Sequence, residues 1–169
     1  QGIKSGSRAE CFCGDCRAAV LYLGQPDPAP DAVDVFQTSP DSVKITQGDE
    51  HLRLMRLGPK GLLRWYAGCC KTPLANTLAK PTLPFVGLHS NRFANKGALG
   101  KIRARGFMPQ AGKPPKTKGA AGMVLGIFKR MATSRLSGQW RETPFFDADT
   151  GQPVAEAEMP SKEERAKFY

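Results

Sequence analysis

The stretch Cys-Phe-Cys-Gly-Asp-Cys-Arg at residues 11–17 holds three of the five cysteines of the chain. Cysteines at this spacing are too close to pair without strain, and an odd total leaves at least one thiol unpaired. They suit instead a tetrahedral zinc site, in which each Zn–S bond is about 2.3 Å long. Gly14 eases the bend that such ligands require because glycine tolerates positive φ. We therefore predict that Cys11, Cys13 and Cys16 bind Zn²⁺.

The fourth ligand of this site can come from either of two sources. The vicinal pair Cys69 and Cys70 can supply it, which gives a closed structural site. Water or substrate gives instead an open and reactive site, in which Asp15 is a candidate acid or base. His51 and His89 are interpreted as ordinary, partly buried histidines rather than ligands. The remaining alternative is a set of free, buried thiols that hold no metal.

The charge of the chain is strongly segregated. The formal net charge is +10, but residues 51–141 contain eighteen Lys and Arg and no Asp or Glu. The flanks carry the other seven basic and all fifteen acidic residues, a balance of −8. This pattern indicates an anionic partner, or basic and acidic parts that pack on each other, or a solvated basic surface. Weak, sequence-independent nucleic-acid binding is one expectation that follows.

The pattern of apolar residues and turn signals predicts a mainly β fold with short helices, of the α+β class. Residues 15–23 are expected to form a short helix that Gly24 ends. Residues 123–136 have helical spacing, and Ser161 opens a terminal helix through a capping box. Strands are predicted at residues 33–38, 43–46, 51–57, 62–66 and 85–88.

Residues 11–17 and the following Gly24 resemble the Cys-x-Cys-x-x-Cys-Arg segment of the glutathione-dependent formaldehyde-activating enzyme (GFA) family. Residues 64–74 resemble the hairpin and second zinc knuckle of that family, so the resemblance covers residues 9–90. It implies a folded-over β structure, the β-tent, with up to two zinc ions. It also implies that the first three cysteines hold a catalytic zinc near a glutathione adduct. The centromere protein V group shares this superfamily, so the fold does not fix the activity.

The chain departs from the GFA pattern at the second zinc site. Cys70 matches the last cysteine of that site, but Ala67 stands where its partner is expected, and Lys71 replaces the usual glycine. The upstream Cys-x-Cys pair of the family is absent. Either the structural zinc has been lost, or an N-terminal segment outside this chain supplies ligands that join Cys69 and Cys70.

These observations predict that the chain is divided into three parts. Residues 1–90 form a GFA-like zinc-binding β domain, and residues 91–122 form a basic excursion rich in Gly and Pro. Residues 123–169 form a helical extension that packs back on the same domain. The apolar stretches are far shorter than a membrane span, and no basic-then-apolar leader opens the chain. We therefore expect a cytoplasmic protein without a membrane partner.

Two classes of function remain open. The first is a zinc-dependent carbon–sulfur lyase that acts on glutathione or another thiol adduct, with Arg17, Arg53 and Arg64 as candidates to bind its carboxylates. The second is a non-catalytic zinc-stabilised module whose basic surface binds nucleic acid or another anionic partner. Whether the chain is an enzyme is left open at this point.

Overall fold

The structure, a computed structural model, describes residues 5–169. In this part of the chain, nine strands form one sheet. The strands are β1 (Ser7–Cys11), β2 (Val33–Thr38), β3 (Leu52–Met55), β4 (Leu63–Ala67), β5 (Thr72–Thr77), β6 (Val86–His89), β7 (Ile102–Gln110), β8 (Lys113–Lys118) and β9 (Ala157–Glu158). The helices are α1 (Gly14–Tyr22), α2 (Ala120–Leu136) and α3 (Lys162–Ala166), and short 3₁₀ turns occur at Pro40–Ser42, Asp49–His51, Ser90–Arg92, Lys96–Leu99 and Gln139–Arg141. The predicted mainly β fold with helices is confirmed.

The strand order across the sheet is β8-β7-β1-β2-β6-β5-β4-β3-β9. The pairs β1–β7 and β3–β9 are parallel, and the other neighbours are antiparallel. The parallel pairs join strands that lie far apart in the chain, because a parallel connection needs a long crossover. As a result, β1, which carries Cys11, lies inside the sheet between β2 and β7.

Apolar side chains cover both faces of the sheet. Trp65 and Tyr66 are successive residues of β4, so they point to opposite faces. Trp65 packs in a cluster with Phe145 and Phe146, at ring-centroid distances of 5.1 and 6.2 Å. Tyr66 packs on the other face with Ala18 and other residues of α1. The chain after α2 therefore closes one face, and α1 closes part of the other.

The helical predictions are confirmed with small shifts in their bounds. Gly24 follows α1 with φ 68°, the left-handed conformation expected of a glycine at a helix C-terminus. Ser161 caps α3 through a complete capping box with Glu164. The predicted helix at residues 123–136 begins three residues earlier, at Ala120. No helix in the part of the chain that the structure describes is long and apolar enough to cross a membrane.

The strands differ from the predictions at two places. Residues 43–46 are not a strand, because Val43 and Ile45 pack against the Trp65 cluster from an irregular segment. Residues 91–122, predicted as a basic excursion rich in Gly and Pro, contain the β7–β8 hairpin, for which no strand was predicted, and β7 joins the main sheet beside β1. The division of the chain at residues 90 and 122 remains a prediction.

Candidate metal centre

The cysteine cluster lies where β1 ends and α1 begins. Cys11 is the last residue of β1, and Cys13 is the N-cap of α1, with extended backbone angles of φ −71° and ψ 149°. Cys16 lies in the first turn of α1, and its backbone N–H donates to Cys13 Sγ across 3.4 Å. The N–H of Phe12 donates to the carbonyl of Gly106 on β7 across 3.0 Å. The three thiols are thus brought together by the end of β1, the start of α1 and the hydrogen bond from Phe12 to β7.

The three Sγ atoms lie within 4.8 Å of one another, and those of Cys11 and Cys13 are 3.2 Å apart. Thiolates around tetrahedral zinc lie about 3.8 Å apart, since each Zn–S bond is about 2.3 Å. The cluster therefore has nearly the spacing that a bound ion requires. Cys16 is buried, and the other two cysteines are half-buried. The predicted cluster can hold a metal ion through three protein ligands.

The hydrogen bonds within the cluster concentrate negative charge on Cys13. Hydrogen bonds from the thiols of Cys11 and Cys16 hold the pKa of Cys13 well below its usual range, and the backbone N–H of Cys16 and the charge of Arg64 add to this effect. The same thiol–thiol bonds raise the pKa values of Cys11 and Cys16, and burial adds to the rise. A thiolate at a helix N-terminus is a nucleophile and a metal ligand. A bound cation would favour the thiolate form of all three cysteines, because it stabilises thiolates directly.

Arg64 is a buried cation close to this cluster, with only 6% of its surface exposed. Its Nη1 donates to Asn76 Oδ1 on the neighbouring strand across 3.3 Å. Among the residues that the structure describes, Arg64 makes no ion pair with a carboxylate. Burial of His89 lowers its pKa, and the positive charge of Arg64 lowers it further. Arg64 is therefore the best placed of the three predicted arginines to bind an anionic group at the cluster.

The other two predicted arginines are occupied elsewhere. Arg17 forms a bidentate pair with Asp27 in which Nη2 and Oδ2 are 2.6 Å apart, and this pair lowers the pKa of Asp27 to about 2. Arg53 is exposed and donates to the backbone carbonyls of Glu50 and Leu52 across 2.8 and 2.9 Å. Among the described residues, neither guanidinium is hydrogen-bonded to one of the three thiols.

Asp15 lies in the first turn of α1 and is exposed. Its carboxylate accepts a hydrogen bond from the hydroxyl of Tyr169, and the Tyr169 ring lies against Gly14. The C-terminal residue therefore covers part of the bend that carries the thiols. Sequence reasoning missed Tyr169, since no spacing or motif connects it to a bend more than 150 residues earlier.

Cys69 and Cys70 lie on the exposed turn between β4 and β5. Their Sγ atoms are 3.7 Å apart, and Cys70 Sγ lies 3.1 Å from the Thr72 hydroxyl oxygen. Neither sulfur belongs to the group formed by the first three cysteines. Their role as further zinc ligands stays a prediction. His51 is exposed and His89 is buried, and neither joins that group among the described residues.

The comparison with known proteins gives one result. Residues 6–158 match the model of a family described as a family of unknown function (DUF6151). The chain belongs to the DUF6151 family. No curated protein and no solved structure matches it significantly. The DUF6151 match extends from before β1 through β9, so it includes the cysteine cluster and the whole sheet, but it assigns no chemistry to them.

Proposed function

We propose that this DUF6151 chain is a zinc-binding protein whose metal is held by Cys11, Cys13 and Cys16. The observation that carries the proposal is the meeting of three sulfur atoms within 4.8 Å. Three thiolates near tetrahedral spacing suit zinc, whereas hard cations such as Mg²⁺ and Ca²⁺ prefer oxygen ligands. The site also leaves one tetrahedral position for an exogenous ligand.

We further propose that the open position serves a carbon–sulfur lyase reaction on glutathione or another thiol adduct, as the resemblance to the GFA family implies. Zinc at such a position polarises a bound hydroxyl or binds a sulfur. For an S-hydroxymethyl thiol, the C–S bond breaks, the hydroxyl loses its proton as the carbonyl of formaldehyde forms, and the sulfur leaves as a thiolate or takes up that proton. Arg64 would bind a carboxylate of the substrate, since its guanidinium is buried and lacks an acidic partner.

Metal analysis of the purified chain tests the first proposal. We expect about one zinc per chain, and we expect Cys13→Ser to lose it. Structural zinc contributes on the order of 10 kcal/mol to the folding of small domains, so this variant should also be destabilised. Cys69→Ser is the matched control and should keep the metal. A protein that is fully folded yet metal-free after preparation with ample zinc would contradict the proposal.

Titration with glutathione tests the lyase proposal separately. We expect binding in the micromolar to millimolar range, its loss in Cys16→Ser, and a weaker affinity in Arg64→Gln but not in Arg17→Gln. Cleavage of S-hydroxymethylglutathione to glutathione and formaldehyde can be followed by the release of formaldehyde. If millimolar glutathione produces neither heat nor chemical-shift change in the zinc-loaded protein, the lyase proposal fails. The non-catalytic zinc-stabilised module is then the remaining function.

A further inference from the structure

The β7–β8 hairpin combines positive charge with solvent exposure. Every residue of β8 is exposed, and a tight turn at Ala111 and Gly112 joins the two strands. Five cations lie on the hairpin: Arg103, Arg105, Lys113, Lys116 and Lys118. No acidic residue occurs between residues 51 and 141. The charged side chains of the hairpin are therefore all positive.

Strand alternation sorts these cations onto one face. Ala104 points into the protein and is buried, so Arg103 and Arg105 point to solvent. Lys118 lies opposite Arg105 in the antiparallel register, and Lys116 lies two residues further along the same strand.

Only one of these cations is neutralised by an acidic side chain within the described chain. Arg105 pairs with Glu10 through Nε and Oε2, 2.5 Å apart. The others have no carboxylate within ion-pair distance among the residues described. Most of the charge of this face is thus available to an anion from outside the protein.

An aromatic side chain lies among these cations in an unusual backbone conformation. Phe107 has φ 58° and is 55% exposed. It lies where the β7–β8 register is interrupted, and its N–H donates to the Thr117 hydroxyl across 3.3 Å. A bulge of this kind re-aims a side chain, and a bulky residue in the left-handed region is strained. Burial does not account for the strain, because the ring is exposed. Such strain is typical of residues kept for function.

We propose that the β7–β8 hairpin binds single-stranded nucleic acid, with Phe107 stacking on a base and the lysines contacting phosphates. Single strands are bound by basic grooves or ribbons that present aromatic rings, because every base has a face that stacks. A membrane surface would need an apolar face, whereas the exposed neighbours of Phe107 on the hairpin are mostly cations, prolines and polar residues. This proposal uses side chains of the hairpin and none of the three cysteines, and it does not depend on the lyase proposal.

Fluorescence anisotropy with a labelled 20-nucleotide oligothymidine tests the proposal on the zinc-loaded chain. We expect a dissociation constant of roughly 1–100 µM at 50 mM salt, and loss of binding near 150 mM salt. Replacing Lys113, Lys116 and Lys118 together by Gln should reduce the magnitude of the salt slope by about two, since each phosphate contact on a single strand contributes about 0.7. No binding at 20 mM salt would overturn the proposal.

Phe107→Gly separates a stacking role from a structural one. Glycine relieves the positive φ, so the variant should unfold at the same urea concentration as the parent or a higher one. Its affinity for the oligonucleotide should nevertheless fall by about tenfold, as expected when one stacking platform is removed. Phe128→Ala is the matched control, because Phe128 is exposed on α2 and lies outside the hairpin. Equal losses in both variants, or no loss in Phe107→Gly, would contradict the proposal.

Two competitors distinguish nucleic acid from other anionic partners. Polyglutamate of matched charge should compete weakly, and its binding should not change in Phe107→Gly. Vesicles that contain phosphatidylserine should bind more weakly than the oligonucleotide at equal salt. If either competitor binds as tightly as the oligonucleotide and is equally sensitive to Phe107, the hairpin recognises negative charge or apolar surface in general, and the proposal is overturned.

Discussion

The hydroxyl of Tyr169 donates a hydrogen bond to the carboxylate of Asp15. This bond joins the C-terminal residue to the first turn of α1, one residue before Cys16. A second contact supports the same junction, because Phe168 packs edge-to-face on Tyr22 of α1 at a centroid distance of 5.9 Å. Burial and the hydrogen bond to Asp15 together raise the pKa of Tyr169 to about 12. Phe168 and Tyr169 thus cover part of the thiol bend.

Tyr169→Phe is expected to loosen this cover without unfolding the protein. The lost hydrogen bond is exposed, so the free energy of unfolding should fall by less than about 1 kcal/mol. Zinc transfer to a chromophoric chelator should become a few times faster, because the bend that holds the thiols loses one tether. Tyr22→Phe, which keeps its ring against Phe168, is the control. If the control accelerates zinc transfer and Tyr169→Phe does not, the cover has no role in retaining the metal.

His89 is expected to make the protein sensitive to mild acid. Burial, assisted by the charges of Arg64 and Arg92, lowers the pKa of His89 to about 4, whereas an unfolded histidine titrates near 6.5. The unfolded chain therefore binds the proton first, and stability present above pH 6.5 is lost as the pH falls towards about 4. The loss is on the order of 3 kcal/mol.

Urea unfolding at pH 7.5 and pH 5 measures this effect. His89→Gln should show a smaller loss of stability on acidification than the parent, and acid release of zinc should affect both proteins alike. The control is His51→Gln, which replaces a histidine whose side chain is 52% exposed and keeps His89. If the stability of the parent and of His89→Gln falls in parallel with pH, His89 is not the source of the acid sensitivity.

Thr77→Val is expected to leave a buried donor without a partner. The indole N–H of Trp65 donates to the Thr77 hydroxyl across 2.9 Å, and both residues are 1% exposed. Valine has nearly the same shape but no acceptor, so the variant should lose about 1–3 kcal/mol of stability in chemical unfolding. Thr46→Val, at an exposed position, should change stability by less than about 0.5 kcal/mol. Similar values for the two variants would mean that the hydrogen bond is not a significant part of the core.

Gly119→Ala is expected to disrupt the junction between β8 and α2. Gly119 has φ 71°, and a Cβ atom there would lie against the carbonyl oxygen of Arg103. Gly112 has a similar φ of 66° but open space around it. Gly112→Ala should therefore cost about 1 kcal/mol for the conformation alone, and Gly119→Ala should cost several times more because of the added clash. Thermal unfolding of the two variants checks this difference, and equal losses would contradict a clash at Gly119.

The sequence was informative where a local pattern has one structural solution. The three cysteines of residues 11–17 can meet only around a bend, and the structure has that bend. Gly24 and Ser161 mark helix ends through backbone and capping chemistry that does not depend on the rest of the fold. The bounds of α1 differ from the prediction by one residue at each end, and Ser161 is the N-cap that was predicted.

The sequence was misleading where tertiary packing determines the secondary structure. Val43 and Ile45 alternate like a strand, but they face the Trp65 cluster from an irregular segment. The hairpin was missed because Pro114 and Pro115 weaken its strand signal, although prolines are tolerated in an edge strand such as β8. The contact between Tyr169 and Asp15 has no local signal at all.

The position of β1 between β2 and β7 has a consequence for how the chain folds. Phe12, between the first two thiols, bonds to Gly106, about ninety residues later. During synthesis at about 5–20 residues per second, the ribosome needs on the order of 5–20 s to add that segment. The nascent chain therefore carries three reactive thiols for seconds before the strand that flanks them exists. The order of zinc capture and sheet closure is thus a kinetic property of the growing chain, and we expect zinc supply during translation to affect the yield of folded protein.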